Sequence, residues 1–522
     1  MNIKIPYSWI KEYLDLEISH EEFAKIVSLH GLSVEKWYID NITGEYILDV
    51  EITSNRPDVA SVVGVCREAK AILNCKYSKS PFVLEIKSDL PKYYNNNLPL
   101  TVRLDSNLCR RYQAVVIRNI KNNVSPDWLK KRIELAGINS INALVDISNY
   151  VLLEYGQPTH IFDYNKISNS TIIVRQALEN ETFIPISHNK PLLLSSSNLV
   201  IADTNKVLAL AGIKGGENSA VSNDTVDIVI ESANFDPISI RKTSRKNNLI
   251  TDASLLFEKD LHPKLTEIGI LRVVNLVLEI CGGEIASEII DIKNNTIPDS
   301  KLIEFKVSEI KKILGIDIDR NLVIKILRSL EFDIIQNNSS EHNQDTLYVV
   351  VPYFRLSDIQ YDYDIVEEVA RIYGYHNIPS VLLDTKIPIH SKDIEIEVED
   401  KIRNILVGAG LTEIYTYSFT SKKYLDLTGA TNYIQISNPL SEDFVYLRTT
   451  LSQSVLQVIV ENEDVVDILS LFEVSKVYIV DKQLSSDLPS EDLHLCIAIC
   501  TKNHTDAFYK LRSYWDLLIN RL

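Results

Sequence analysis

Two polar stretches rich in proline and asparagine divide this chain before any motif is considered. "KSPFVLEIKSDLPKYYNNNLP" occupies residues 79–99 and "DIKNNTIPDSK" occupies 291–301. Clusters of this kind punctuate a chain, so both read as linkers between folded segments. At roughly 100–200 residues per domain, 522 residues give three to five domains. The pattern of elements predicts an α+β multidomain protein with segments at 1–99, 100–290, 298–383 and 384–522.

Within the first segment, Ser19 followed by Glu22 is a capping-box pattern, with Phe23, Ile26, Val27 and Leu29 behind it and Gly31 to stop the helix. "YILDVEITSNRPDVASVVGVCREAKAIL" reads as strand, turn and amphipathic helix. In the second segment "WLKKRIELAG" predicts a helix ending at Gly137, "TIIVRQA" and "NLVIADTNKVLALAGI" predict strands, and "DASLLFEKDLHPKLTEIGILRVVNLVLEICGG" predicts a long amphipathic helix stopped by Gly282 and Gly283. The third shows strand "LIEFKV", helices "VSEIKKILG" and "DRNLVIKILRSLEF", and strands "FDIIQ" and "TLYVVVPYF", an order similar to a winged helix. An α/β segment follows.

Hydrophobic content of 45% and charged content of 24% are ordinary for a globular protein. The net charge of −17, from 54 basic and 71 acidic residues, argues against coating nucleic acid by bulk attraction. RNA contact is left to local runs such as "WLKKR" at 128–132 and "RKTSRK" at 241–246, which as charge runs read first as solvated faces. Six cysteines without a CxxC pair fit reduced thiols. The amino-terminal "MNIKIPYSWIKEYLDLE" carries charges inside its apolar stretch, unlike a signal peptide, and no run approaches a membrane span; the expected location is cytoplasmic.

The densest chemistry lies at "YDYDIVEEVARIYGY", residues 361–375, with Asp358 just upstream. One reading is structural: Asp364 starts a helix, Glu367 completes a D-x-x-E capping pair, and Glu367 pairs with Arg371 four residues on. The other uses the same geometry, since Asp364, Glu367 and Glu368 share a helix face. Together with Asp358 they offer four hard oxygen donors and no Cys or His, which suits Mg²⁺ rather than zinc. Spacing alone leaves both open.

"VVVPYFRLSDIQYDYDIVEEVARIYGYHNIP" resembles the end of the B5 domain of phenylalanyl–tRNA synthetase β subunits of bacterial type. The resemblance extends to "YSWIKEYLDLE" and "VEITSNRPDVASVVGVCREA" of an N-terminal module. "INALVDISNYVLLEYGQPTHIFDYNKI", "LALAGIKGGENSAVS", "IVIESANFDP", "IRKTSRK" and "TDASLLFEKDLHP" are similar to its B3/B4 editing domain. "ILVGAGLTEIYTYSF", "NPLSEDFVYLRTTL" and "LSLFEVSKVY" are similar to its class II catalytic-like module. The family pattern implies that Asp358, Asp364, Glu367 and Glu368 ligate Mg²⁺ shared with a catalytic α subunit. It further implies an α₂β₂ assembly in which the α subunit uses ATP to attach phenylalanine to its tRNA.

The same resemblance implies hydrolysis of tyrosine wrongly attached to that tRNA. A phenylalanine pocket discriminates imperfectly against one added hydroxyl, so a second site with polar groups for that hydroxyl has a physical purpose. It implies that Glu231 meets the tyrosine hydroxyl and His160 lines the ester and water side. Asn149, Thr251 and Ala253 would line the pocket, with Gly215 and Gly216 allowing close backbone approach. Two positions depart from the family: Asn139 stands where an Arg is usual, and "LFEKD" replaces "RFERG" while keeping Glu258. Set against the family, the expectation is a chain without the inserted tRNA-binding module and the C-terminal anticodon-binding domain, either a reduced β subunit or an incomplete sequence. No GxxxxGK[ST], GxSxG or HExxH occurs, and the resemblance places ATP chemistry in the α partner rather than at Arg448. Alternative expectations are a free-standing tRNA hydrolase, a non-catalytic scaffold and a winged-helix binding protein.

Overall fold

The computed structural model describes all residues except 81–97, 189, 295–296, 336–344, 389–390, 392, 481–487 and 503. Most of the first expected linker and the "NNSSEHNQD" stretch, save Asp345, therefore lie outside the described residues. The chain forms two compact units, Met1–Val381 and Leu382–Leu522.

The first unit begins with an antiparallel sheet in which Tyr46–Glu51 lies between Asn2–Pro6 and Val34–Ile39. Its helix His20–Ser28 starts where the sequence signals, with the Ser19 hydroxyl accepting the Glu22 amide. That helix ends at Ser28, and Gly31, at φ +114°, takes the turn beyond it. Helix Val62–Leu73 is buried along most of its length. Gly64 makes that possible, since a Cβ there would meet the Asp58 carbonyl oxygen at 2.0 Å.

Two five-stranded sheets follow. One runs Lys214–Gly215, Val207–Leu210, Leu199–Ala202, Thr171–Gln176, Thr101–Leu104. The other runs Glu284–Ile285, Cys109–Arg118, Ile228–Phe235, Thr159–Asp163, with Ile290–Lys293 also paired to Cys109–Arg118. Strand Ile228–Phe235 is buried at every residue, as expected for a strand covered on both faces. Helix Leu265–Ile280 packs against it and against helix Ala143–Tyr155.

The expected long helix from Asp252 is two helices, Asp252–Phe257 and Leu265–Ile280. Asp260 adopts φ +65° and Pro263 lacks an amide hydrogen, so the apolar period continues across a break that the backbone does not bridge.

One core of buried apolar side chains runs from Ile3 to Ala286. Trp9 stacks on Tyr150 at 4.8 Å between ring centroids, and the Tyr13 hydroxyl donates to the wholly buried Glu154 at 2.6 Å. Arg272 gives Glu154 two further hydrogen bonds, so its charge is paired. A separate core holds the three-stranded sheet Ser300–Lys306, Thr346–Pro352, Asp333–Ile335 with helices Ser308–Leu314, Arg320–Ser329 and Asp362–Tyr373. These are the helices and strands expected there.

In the second unit Ile468–Ile479 lies between Thr412–Glu413, parallel to it, and Ser490–Thr501, antiparallel. Helices Ile394–Gly408 and His504–Arg521 pack together there. Arg448 and Glu473 form a buried pair at 2.9 Å, and Arg448 also binds the Thr416 hydroxyl and the Lys476 carbonyl. Its guanidinium is thus committed to holding this unit together.

Candidate functional site

Strand register brings the first site together. Glu231 on Ile228–Phe235 lies directly opposite His160 on Thr159–Asp163, seventy-one residues earlier. On its other side Glu231 faces Ala114, whose small side chain leaves room for Tyr112 to reach across from two residues along the same face. The Tyr112 hydroxyl donates to Glu231 Oε2 at 2.8 Å, and both residues are buried. Glu231 Oε1 has no hydrogen-bond partner among the described residues.

A cavity of about 70 Å³ opens beside this pair. Glu231, His160, Gly215 and Ala253 line it, joined by Lys214 and Phe257. The buried His160 Nε2 has no hydrogen-bond partner, although buried polar atoms are nearly always satisfied. Gly215 permits this arrangement, because a Cβ there would lie 2.5 Å from His160 Cε1.

Burial pushes the Glu231 carboxyl up to about 8, against the opposing pull of the Tyr112 hydrogen bond. Burial, helped by the Lys214 ammonium, pulls His160 down to about 4. At neutral pH the cavity therefore presents a neutral imidazole and a largely protonated carboxyl. A group that brings both a donor and an acceptor, such as a phenol with an ester beyond it, matches that pair.

The other expected pocket residues act at one remove. Thr251 caps helix Asp252–Phe257 by accepting the Ser254 amide, and its hydroxyl donates to the Ile213 carbonyl at 3.0 Å. It thus ties the helix bearing Ala253 to the turn that leads into the strand bearing Gly215. Gly216 serves strand packing, since a Cβ there would meet the Leu208 carbonyl oxygen at 2.5 Å. Asn149 is half-buried on helix Ala143–Tyr155 and does not line the cavity. In "LFEKD", Glu258 pairs with Arg245 at 3.6 Å and Asp260 with Arg110 at 2.5 Å.

The carboxylates at 358–368 are arranged differently. Helix Asp362–Tyr373 is preceded by Tyr361 at the cap position, so Asp364 sits inside the first turn rather than at the start. Its Oδ2 accepts the Gln360 and Tyr361 amides at 2.7 and 2.8 Å. Arg371 pairs with Glu368 and with Glu68, not with Glu367.

Glu368 is held by Arg355 at 2.7 and 2.8 Å and by Arg371 at 2.5 and 2.9 Å. Burial alone would raise its carboxyl, but the two guanidiniums hold it well below the usual range. Glu68 links Arg371 to Arg56, which also chelates Asp58. Asp358 takes hydrogen bonds from Arg355 and Asn55. Glu367 is raised by burial and by the neighbouring charges of Glu368 and Asp358. Among the described residues no group of three or more His, Cys, Asp and Glu is arranged to hold a metal ion. The donors are nevertheless all hard oxygens, and Glu367 feels the charges of Glu368 and Asp358, a crowding that a divalent cation would relieve.

The sequence reading missed Tyr112, Lys214, Arg56, Glu68 and Arg355. "SNRPD" and "CREA" contain charged residues among apolar neighbours, and Arg56, Arg67 and Glu68 are buried, which is a weak signal for internal pairing. The two basic runs are partly spent: Arg132 pairs with Glu12 and Lys246 with the Ser195 hydroxyl.

Comparison with known proteins agrees in chain order. Residues 108–282 match the B3/4 domain, 303–375 the tRNA synthetase B5 domain, and 378–520 the phenylalanyl tRNA synthetase beta chain CLM domain. The phenylalanine–tRNA ligase beta subunit of Clostridium tetani is 38% identical over 462 residues, covering 87% of this chain and 56% of that one. That of Clostridium acetobutylicum is 38% identical over 454 residues, covering 85% and 55%. The chain thus spans little more than half the length of these relatives. The beta subunit of Rhodopirellula baltica is 32% identical over 526 residues, covering 99% of this chain and 74% of that one. With three family domains in order and a relative 32% identical across nearly the whole of this chain and 74% of its own length, the chain belongs to the phenylalanine–tRNA ligase beta subunit family.

Proposed function

We propose that this chain acts with an α subunit in ATP-dependent attachment of phenylalanine to its tRNA, in an α₂β₂ assembly. Its own chemistry is the hydrolysis of tyrosyl-tRNA in the Glu231–His160 cavity. The observation that carries the hydrolytic reading is that His160, with its buried Nε2 unpaired among the described residues, and Glu231, bonded only through Oε2 to Tyr112, line one cavity. Glu231 addresses the tyrosine hydroxyl, and a substrate lacking it gives this buried carboxyl no partner in the cavity, which disfavours phenylalanine. His160, neutral at physiological pH, accepts a proton from or orients the attacking water. Its low basicity makes orientation the larger part of its role.

Asp358 and Glu367 are the residues of this chain that would hold Mg²⁺, with Asp364 and Glu368 shaping the helix start and the arginine network around them. When bound, the ion would neutralise charge and bridge the two subunits rather than generate a nucleophile. No described helix is long and apolar enough to cross a membrane, and a cytoplasmic site of action accords with tRNA charging.

The test is co-expression with the α subunit, followed by charging of tRNA with phenylalanine and by deacylation of tyrosyl-tRNA with wild type, Glu231→Gln and His160→Ala. The expected result is a stable charging complex whose tyrosyl-tRNA hydrolysis depends on both residues. A complex that charges tRNA but hydrolyses no faster than buffer would make this a scaffold subunit. Hydrolysis without any stable complex would make it a free-standing hydrolase.

A further inference from the structure

We infer that Tyr112 is the positioning residue of the Glu231 cavity: its hydroxyl fixes the carboxyl through Oε2 and leaves Oε1 as the atom presented to the substrate. This rests on the hydrolytic reading and adds the residue that sets its selectivity.

The geometry is specific. Tyr112 is buried on the strand beside Glu231, and its hydroxyl sits 2.8 Å from Oε2. Burial and the Glu231 charge push the phenol well above its ordinary range, so it keeps its proton and acts as donor. A carboxyl whose Oε2 already accepts a hydrogen bond carries its own proton on Oε1. The cavity therefore faces the substrate with an O–H donor while Glu231 is protonated and with an acceptor once it ionises. A phenol hydroxyl satisfies either state and a phenyl ring satisfies neither, so Tyr112 makes the preference independent of which state is populated.

The other groups around Glu231 do not substitute for this contact. His160 faces it from the neighbouring strand and is neutral at physiological pH. Lys214 lines the cavity from the glycine-bearing turn. Cys109, on the same strand as Tyr112, is kept a thiol by burial and by the Glu231 charge. None of these is bonded to the carboxyl.

The experiment compares wild type, Tyr112→Phe, Glu231→Gln and the double variant as full chains assembled with the α subunit. Two readouts are taken: deacylation of tyrosyl-tRNA and phenylalanyl-tRNA against pH, and the infrared carboxyl band of Glu231 during a pH titration. Losing a hydrogen bond to an ionisable group should slow tyrosyl-tRNA hydrolysis by roughly tenfold. The ratio of tyrosyl to phenylalanyl turnover should fall with it. The Tyr112 bond favours the ionised carboxylate, so its loss should move the infrared midpoint to higher pH. The double variant should be no worse than Glu231→Gln alone. An unmoved infrared midpoint, or losses that simply multiply in the double variant, would overturn the positioning role. If wild type hydrolyses nothing while the midpoint still moves in Tyr112→Phe, the contact stands and the hydrolytic reading falls.

Discussion

The cavity at Glu231 and the carboxylate helix at 361–375 contain the same residue types and use them in opposite ways. At the helix, Glu368 sits between two guanidiniums and Glu68 between two more contacts, so nearly every buried oxygen is spent inside the chain. In the cavity, a nitrogen of His160 is buried without a partner among the described residues, and the Glu231 carboxyl has one hydrogen bond, from Tyr112 to Oε2. Burying a polar group without a partner costs free energy, so the second arrangement persists only where something else supplies the partner. Paired charge marks architecture, while unspent polarity that lines a cavity marks a place where a ligand is expected.

The sharpest break of this contrast is at Arg355. Replacing it by Ala strips Glu368 and Asp358 of a shared partner in a buried setting, and the expected loss is about 3–5 kcal/mol in chemical denaturation. The same network gives a pH signature. The Glu368 carboxyl is depressed on folding, so its stabilisation is present above its ordinary range and is lost as pH falls through its folded value. Acid should weaken the Met1–Val381 unit, and Glu368→Gln should blunt that response in an acid titration.

Glu231 should behave with the opposite sign. Its folded value of about 8 exceeds the ordinary 4.5, so its contribution is fully present below 4.5 and is lost as pH rises towards 8. Glu231→Gln should flatten the dependence of thermal unfolding on pH across that window, by about 5 kcal/mol in total. A profile identical to wild type would show that the site is wetter than its burial suggests.

Gly215→Ala tests the close approach at the cavity. The new methyl would lie 2.5 Å from the His160 ring, so overpacking should cost about 1–3 kcal/mol and displace the imidazole. Tyrosyl-tRNA hydrolysis should fall further than stability does. An alanine that leaves hydrolysis intact would show that the ring moves freely.

The smallest effects belong to the carboxylates with exposed oxygens. Asp364→Asn retains an acceptor for the Gln360 and Tyr361 amides and should change stability by less than about 0.5 kcal/mol. Glu367→Gln relieves like-charge crowding and should leave stability nearly unchanged, while raising the Mg²⁺ needed for tRNA charging by the assembled enzyme. If instead Asp364→Asn shifts the Mg²⁺ requirement and Glu367→Gln does not, the assignment of ligands within this helix is reversed.

Local signals were readable where the physics is local. Ser19 and Glu22 announced a helix start, and the glycines at 31 and 137 marked positions beyond helix ends that the structure places at positive φ. The break at 258–264 was hidden because apolar spacing continues on both sides of it. The site was legible by family resemblance at His160, Glu231, Gly215 and Ala253, which the fold does gather around one cavity. Tyr112 was invisible in "LCRRYQAVVIR", where it looks like one more core aromatic. Its importance comes from register with a strand more than a hundred residues away, and no local pattern encodes that. Arg371 illustrates the same limit: spacing paired it with Glu367, whereas tertiary packing delivered Glu68.

The continuous core from Ile3 to Ala286 sets a schedule for the chain during its own synthesis. Trp9 and Tyr13 lie near the amino terminus, yet their partners Tyr150 and Glu154 are made much later, and Arg272 later still. At roughly 5–20 residues per second, the ribosome takes about a quarter of a minute to a minute to deliver the last of them. For that interval the first helices carry apolar faces with no mate, which is when a chaperone has most to do. The first unit is therefore timed by its latest-made partner, and a pause in translation before residue 286 would prolong the vulnerable state rather than help the beginning of the chain to settle.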